Sequence, residues 1–334
     1  MQDTNHILFI MPDTSSFPSG GNEYNKRLTD SLRDSGTSVE ICTIEATSGQ
    51  YHDRLVIWDS LYLFDQKKTE QGTHYLLVHH LESLYPPKGW TSLDFFNQKE
   101  RAQLNAFDGF ITSSPYTTSY LSAANLGHKP ILTITPAIDF IPKINLSLPQ
   151  CPLKIILVAN IIKRKGILPF LQQLSAKKAN NIDIKIIGSP DFEPAYAQKC
   201  IQLGQSLNNI HFLGSLPQKE VIRLYEQSDL FISTSYMETY GMAIQEAVAH
   251  GLPLLLLDGG NVKNHLQNNN GLLCQTIETL IDHLLILSKS PMRIGELKHN
   301  ALELAQIPTR TWSDAALELV TFFHKNNLPF FPSE

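Results

Sequence analysis

Two carboxylates, Glu238 and Glu246, stand eight positions apart in "ETYGMAIQEA", on either side of Tyr240 and Gly241. The preceding "DLFISTS" has the unbroken apolar run of a buried strand, and "MAIQEAVAHG" reads as a helix closed by Gly251. Glu238 is therefore expected in a strand-to-helix loop and Glu246 about one turn inside the helix. A carboxylate accepts hydrogen bonds from a vicinal diol but cannot itself hold a diphosphate. Main-chain N–H groups from Tyr240 to Met242 could meet phosphate between the two, leaving one carboxylate for a sugar and the other for a ribose. A glutamate near a helix start is also favoured by the helix dipole, so the pair on its own supports either reading.

Four further loops have chemical potential. In "VANIIKRKG", Lys163, Arg164 and Lys165 precede Gly166 and a helix. Three cations at a helix N-terminus conflict with its dipole, and a bound anion relieves the conflict; a solvated basic loop explains the same residues. In "SGGN", Gly20 and Gly21 let a backbone approach a ligand at the start of the first helix, although a plain loop is the more frequent reading of a lone Gly-Gly. His79 and His80 end the strand-like "LLVHHLE". Neighbours on a strand face opposite ways, which argues against a metal pair; a single histidine could donate a hydrogen bond to a sugar or a leaving phosphate, although a satisfied structural histidine is the commoner reading. "DGGN", residues 258–261, offers another glycine turn. There is no H-E-x-x-H, G-x-S-x-G, Walker A or G-x-G-x-x-G pattern, nor a D-x-D to hold a metal-nucleotide; Asp191 and Glu193 read as loop solvation.

The elements that must position these loops alternate along the chain. "HILFIM", "SVEICTI", "RLVIWDSLYLF", "HYLLVHH", "DGFITSS" and "PILTITPA" are strand-like; "EYNKRLTDSLRDSG", "NQKERAQLNAF" and "PYTTSYLSAANLG" are helical. This is the pattern of a parallel sheet with helices on both faces. "DFIPKINLSLPQCPL", residues 139–153, carries several prolines and no helical period, and the domain linker is placed there. Strand–helix alternation restarts at "KIILVAN" and runs to "LPLLLLDGG", a second doubly wound sheet; residues from about 276 to 325 read as helices only. Two such domains are expected to face each other across a cleft lined by the loops that follow strands.

Bulk composition narrows the classes. The 334 residues are 42% hydrophobic and 18% charged, enough for two globular cores, and the formal charge of −5 argues against a general nucleic-acid binder. Cys42, Cys151, Cys200 and Cys274 form no C-x-x-C pair and are expected to be buried, reduced thiols of a cytoplasmic protein. "ILFIM" is too short for a signal h-region and "LPLLLL" too short to span a bilayer, so membrane contact, if any, would be peripheral.

Taken in order, "SGGN", "VHH", "SSPYTTSYL", "TPAID", "VANIIKRKG", "FLGSLPQKEVIRLYEQSDLFISTS", "ETYGMAIQEA", "LDGGN", "NNNGLL" and the terminal "TW" helix resemble the retaining glycosyltransferases of family 4 (glycosyl transferases group 1), of GT-B fold. The resemblance covers nearly the whole chain, and its E-x7-E element is the most specific part. It implies an acceptor-side Rossmann-like domain over residues 1–145, joined by a C-terminal helix at 310–326, and a nucleotide-sugar domain over 152–308. It implies transfer of a sugar from a nucleoside-diphosphate donor to an acceptor hydroxyl with retention, without metal or other cofactor. Glu238 matches the glutamate near the hexose, Glu246 the one on ribose hydroxyls, Tyr240, Gly241 and Met242 the backbone at sugar and phosphate, and Lys165 the lysine on the diphosphate. His79 matches the cleft histidine, and Gly20 and Gly21 the loop near the phosphates. The family usually has arginine where Asn160 stands here, so charge compensation would depend more on Lys165 and Arg164. The acceptor, a carbohydrate, a lipid-linked or a small molecule, falls to the first domain, where Tyr85 and Trp90 could stack on a sugar or simply pack. A non-catalytic sugar-binding relative and a dinucleotide-dependent oxidoreductase are the alternatives.

Overall fold

The computed structural model describes residues 6–13, 19–46, 54–65, 72–138, 147, 149–177, 179–307 and 309–326. The chain divides into two compact units, one made of residues 1–139 with 310–334 and the other of 140–309. Most of the proline-rich stretch read as a linker lies outside the described residues.

In the first unit β1 (His6–Ile10), β2 (Ser38–Cys42), β3 (Leu55–Asp59), β4 (Thr73–Val78), β5 (Gly109–Thr112) and β6 (Ile131–Thr133) form one parallel sheet in the order β2-β1-β3-β4-β5-β6. Its helices are α1 (Gly20–Asp34), α2 (Ser92–Phe95), α3 (Arg101–Asn105) and α4 (Pro115–Leu121). A wide turn over Phe96–Glu100 joins α2 to α3, so this helical stretch begins earlier than "NQKERAQLNAF" suggests. The strand expected over "RLVIWDSLYLF" stops at Asp59, whose side chain accepts from Leu61 N–H at 2.8 Å and turns the chain into a short 3-10 helix.

The second unit repeats the plan with β7 (Leu153–Val158), α5 (Ile167–Ser175), β8 (Ile182–Ile187), α6 (Pro194–Gln205), β9 (Ile210–Gly214), α7 (Gln218–Glu226), β10 (Leu230–Ser233), α8 (Met242–Ala249), β11 (Leu254–Leu257), β12 (Gly271–Cys274), α9 (Ile277–Leu287) and α10 (Pro291–Ala305). Its sheet is also parallel, in the order β12-β11-β10-β7-β8-β9. Alternation along the strands feeds two cores. Ile155, Leu157, Leu230 and Ile232 pack under α5, α6 and α9, while Ile156, Phe231, Leu254 and Leu256 pack with Val221 and Tyr225 of α7 and Ile244 and Ala247 of α8. Truncating a fully buried ring such as Phe231 to alanine should cost about 3–5 kcal/mol.

The last helix, α11 (Trp312–Lys325), packs in the first unit. Thr311 and Asp314 form a capping box at its start, Trp312 meets Tyr24 of α1 edge-on at 5.1 Å, and Phe323 meets Tyr75 of β4 at 5.4 Å. Among the described residues no helix is long and apolar enough to cross a membrane. The cysteines are all free, but only Cys200 and Cys274 are buried: Cys42 is half-buried on the edge strand β2, and Cys151 is exposed in the bend before β7. The expectation of four buried thiols is corrected accordingly.

Candidate functional site

In each sheet the chain order reverses once, and in an open parallel sheet the loops beyond that point are where ligands bind. In the second unit the reversal lies between β7 and β10, which pair directly through Leu230 and Ile155. The loop after β7 carries Lys165 and the loop after β10 carries Glu238. Lys165 Nζ lies 2.5 Å from Glu238 Oε1, with both side chains about 85% shielded from solvent. One main-chain and one side-chain bond zip the two loops together: Tyr236 N–H donates to Arg164 O at 2.9 Å, and the Thr234 hydroxyl, Oγ1, to Lys165 O at 2.6 Å. Gly166 makes this approach possible. It has φ +66, and a Cβ there would stand 2.2 Å from Thr234 O.

The three consecutive cations do not form one cluster. Lys163 is exposed, its ammonium 4.0 Å from Glu193; Arg164 donates through Nη1 to Met237 O; only Lys165 reaches Glu238. A 3-10 turn over Lys163–Lys165 produces the divergence, because its side chains leave at about 120° intervals. Glu193, read as loop solvation, accepts from Lys163 N–H at 3.3 Å. Burial pushes the Glu238 carboxyl up, but Lys165 and Arg164, with hydrogen bonds from Lys165 and Ser235, outweigh it and hold Glu238 below its ordinary value. Burial also pushes Lys165 down, against the pull of Glu238.

Glu238 is further held by its own backbone, which bridges to Gly260 and accepts from Asn261 N–H at 2.8 Å. Gly241, with φ +96, caps α8, so Met242 is the first helical residue. Tyr240 O accepts from Asn261 Nδ2 at 3.0 Å and from His265 Nε2 at 2.6 Å. Because a carbonyl oxygen only accepts, His265 Nε2 is the donor there; burial pushes the imidazole below its ordinary value. Glu246, one turn into α8, has different partners: Tyr225 Oη donates to Oε2 at 3.1 Å and Gln218 Nε2 to Oε1 at 3.1 Å. Asn160 Oδ1 accepts from Ser189 N–H at 3.2 Å and so braces the loop after β8. Asn261 belonged to a motif singled out by its glycines; Gln218 and Tyr225 lay inside the stretch "FLGSLPQKEVIRLYEQSDLFISTS" without being picked out, and nothing local in the sequence marked His265.

The first unit holds the remaining residues. Gly20 and Gly21 are the first two residues of α1, behind the N-cap Ser19, and not a loop; a Cβ on Gly21 would stand 3.3 Å from His79 Cδ2. β4 ends at Val78, so His79 lies just beyond the strand. Its Nε2 is 2.7 Å from Asn25 Oδ1 and 3.6 Å from Asp59, and its ring meets Tyr24 edge-on at 5.0 Å. Burial pushes His79 below the ordinary histidine value, against the pull of Asp59. Trp90 packs on Phe95 at 5.4 Å with Lys99 over its ring, while Tyr85 is exposed. Among the described residues no group of three or more His, Cys, Asp or Glu is placed to hold a metal ion.

Comparison with known proteins bears on this arrangement. Residues 143–303 match the family model described as glycosyl transferases group 1. Over 149 residues the chain is 30% identical to alpha-monoglucosyldiacylglycerol synthase of Acholeplasma laidlawii; the match covers 44% of this chain and 37% of that one, so it extends over little more than a third of the relative's length. Among solved structures, sucrose-phosphate synthase from Thermosynechococcus elongatus is similar with a TM-score of 0.74 at 16% identity, over 97% of this chain and 99% of that one. The Anabaena protein Alr3699/HepE, solved in complex with UDP and glucose, gives 0.69 at 16% identity over 95% and 99%. These likenesses show the fold: two doubly wound α/β domains of the GT-B class.

Proposed function

We propose that the chain is a retaining glycosyltransferase of family 4 type, which moves a sugar from a nucleoside-diphosphate donor to an acceptor hydroxyl. The observation that carries the reading is the Lys165–Glu238 ion pair at the reversal point of the second sheet, next to the start of α8. The match of this same unit to the group 1 family model supports it, as does the similarity to a fold solved with UDP and glucose.

In this reading Lys165 leaves Glu238 for the donor diphosphate, where Arg164 adds charge and the first N–H groups of α8, which have no intrahelical acceptor, add dipole. Glu238, relieved of its cation, accepts from hydroxyls of the hexose. Glu246, aimed by Tyr225 and Gln218, accepts from the ribose diol, and the Tyr240–Met242 backbone lies between. As the bond from the anomeric carbon to the phosphate oxygen breaks, charge grows on the leaving phosphate. Preorganised cations facing that charge are worth about 3–4 kcal/mol each in comparable sites. His79 serves the hydroxyl-bearing part of the substrates, and Gly20 and Gly21, beside it at the start of α1, are assigned to the phosphates. The proposal assigns the charge on the leaving group to Lys165 and Arg164 and uses no metal.

The test is release of nucleoside diphosphate from UDP-, GDP-, ADP- and TDP-hexoses, with and without EDTA, followed by NMR of the new anomeric centre. One donor should be consumed at a rate EDTA does not change, giving a product with the donor's anomeric configuration. An inverted product contradicts retention, and no release from any donor contradicts the reading.

A further inference from the structure

The environment of His79 decides which of its ring nitrogens carries the proton. Asp59 Oδ1 accepts from the main-chain N–H of Leu61 at 2.8 Å, and Oδ2 accepts from Asn25 Nδ2 at 2.5 Å. Asp59 is 2% exposed and Asn25 fully buried, so water does not compete for these bonds. A carboxylate is an acceptor only, and an amide has one donor end and one acceptor end. Asn25 must therefore turn its NH2 towards Asp59, which leaves Oδ1 facing His79 at 2.7 Å. An oxygen that can only accept requires a donor, so the facing nitrogen, Nε2, bears the hydrogen.

We propose that Asn25 and Asp59 are positioning residues that fix His79 as the Nε2–H tautomer, so that Nδ1 presents a lone pair to substrate. Nδ1 has no hydrogen-bond partner among the described residues. A neutral His79 consequently accepts from a hydroxyl, and the expectation that it donates to a sugar or a leaving phosphate is reversed: a phosphate oxygen, itself an acceptor, finds no donor there. The ring is held in place as well as in tautomer. Gly21, Tyr24 and Asn25 lie on one face of α1 at helical spacing; the glycine clears room for the ring, Tyr24 meets its edge, and Asn25 bonds Nε2. His79 N–H donates to Ser60 Oγ at 3.1 Å, which ties the histidine to the turn that Asp59 caps. That the hydroxyl belongs to a sugar donor or its acceptor rests on the proposed function; the tautomer does not.

Ring-15N histidine labelling of the full chain, with the His79 signals assigned from H79Q, reads the proton position directly. Wild type should show Nε2–H. In D59N the Leu61 N–H still takes the side-chain oxygen at position 59, so the new NH2 faces Asn25. Asn25 must then flip to accept it, presenting its own NH2 to Nε2 and moving the ring proton to Nδ1. The exchanged pair N25D/D59N places a carboxylate against Nε2 and should restore Nε2–H. Turnover of the consumed donor should fall about tenfold in D59N, the scale of one hydrogen bond, and recover in the pair. Nε2–H persisting in D59N, or Nδ1–H in N25D/D59N, overturns the proposal. If D59N fails to fold, the exchanged pair decides, since every donor there still faces an acceptor. A tautomer switch in a chain that consumes no sugar nucleotide would sink the functional reading and leave the positioning intact.

Discussion

The two units share an architecture yet place opposite kinds of polar chemistry beyond their strands. In the second unit a lysine and an arginine converge on the Glu238 segment, an arrangement held by charge. In the first unit Asp59, Asn25 and His79 form a chain of directional hydrogen bonds that ends on a ring kept below its ordinary histidine value. A charged cluster suits a ligand that brings charge, and a hydrogen-bonded relay suits one that brings hydroxyls. In the proposed reading the same fold divides the two halves of a sugar nucleotide's chemistry, with side chains rather than topology making the difference.

If that division holds, the largest effect should come from Lys165. K165A should lower turnover by roughly 10²–10³-fold in a steady-state assay of folded enzyme, the range lost with one phosphate-stabilising donor; near-normal turnover would remove Lys165 from the leaving-group side. Glu246→Ala should weaken nucleotide binding about 10–100-fold by calorimetry, since it removes charge-assisted bonds to a diol, while leaving the tautomer of His79 untouched. Gly166→Ala should destabilise the second unit by about 2 kcal/mol or more in denaturant unfolding, through its positive φ and the clash with Thr234 O. Tyr225→Phe, which removes the donor to Ala243 O and Glu246, should cost about 1 kcal/mol in the same experiment.

The smallest effect is a dependence on acid. Glu238 is held below its ordinary value of 4.5, so its contribution to stability is complete above that pH and is lost as pH falls through the lower folded value. Glu238→Gln should flatten that part of the stability profile. An unchanged profile would mean that the ion pair with Lys165 adds nothing in the folded state.

Much of the second unit was legible because its signals are contiguous. The E-x7-E element spans a single strand–loop–helix, and the apolar runs of β7, β10 and β11 are buried on both faces. The pairing of Lys165 with Glu238 needed the sheet order as well, since 73 positions separate them. The relay in the first unit is harder to see in sequence. Asn25 is 34 residues from Asp59 and 54 from His79, on a helix, a strand end and a loop, and nothing in the local composition marks it. The run Lys163–Lys165 misled in the opposite direction: adjacency in sequence suggested one cationic patch, and a 3-10 turn sends the three side chains to three different partners.

The ligand proposed for the charged site of the second unit is a nucleoside diphosphate. The most direct test is thermal unfolding of wild type, K165A and Glu246→Ala with saturating UDP, GDP, ADP, TDP or NAD. A ligand at about 100 times its Kd adds about 2.7 kcal/mol, several degrees for a unit of this size. A shift is expected with one nucleoside diphosphate in wild type, reduced in both variants. A shift with NAD alone, or an equal shift in all three proteins, would contradict it.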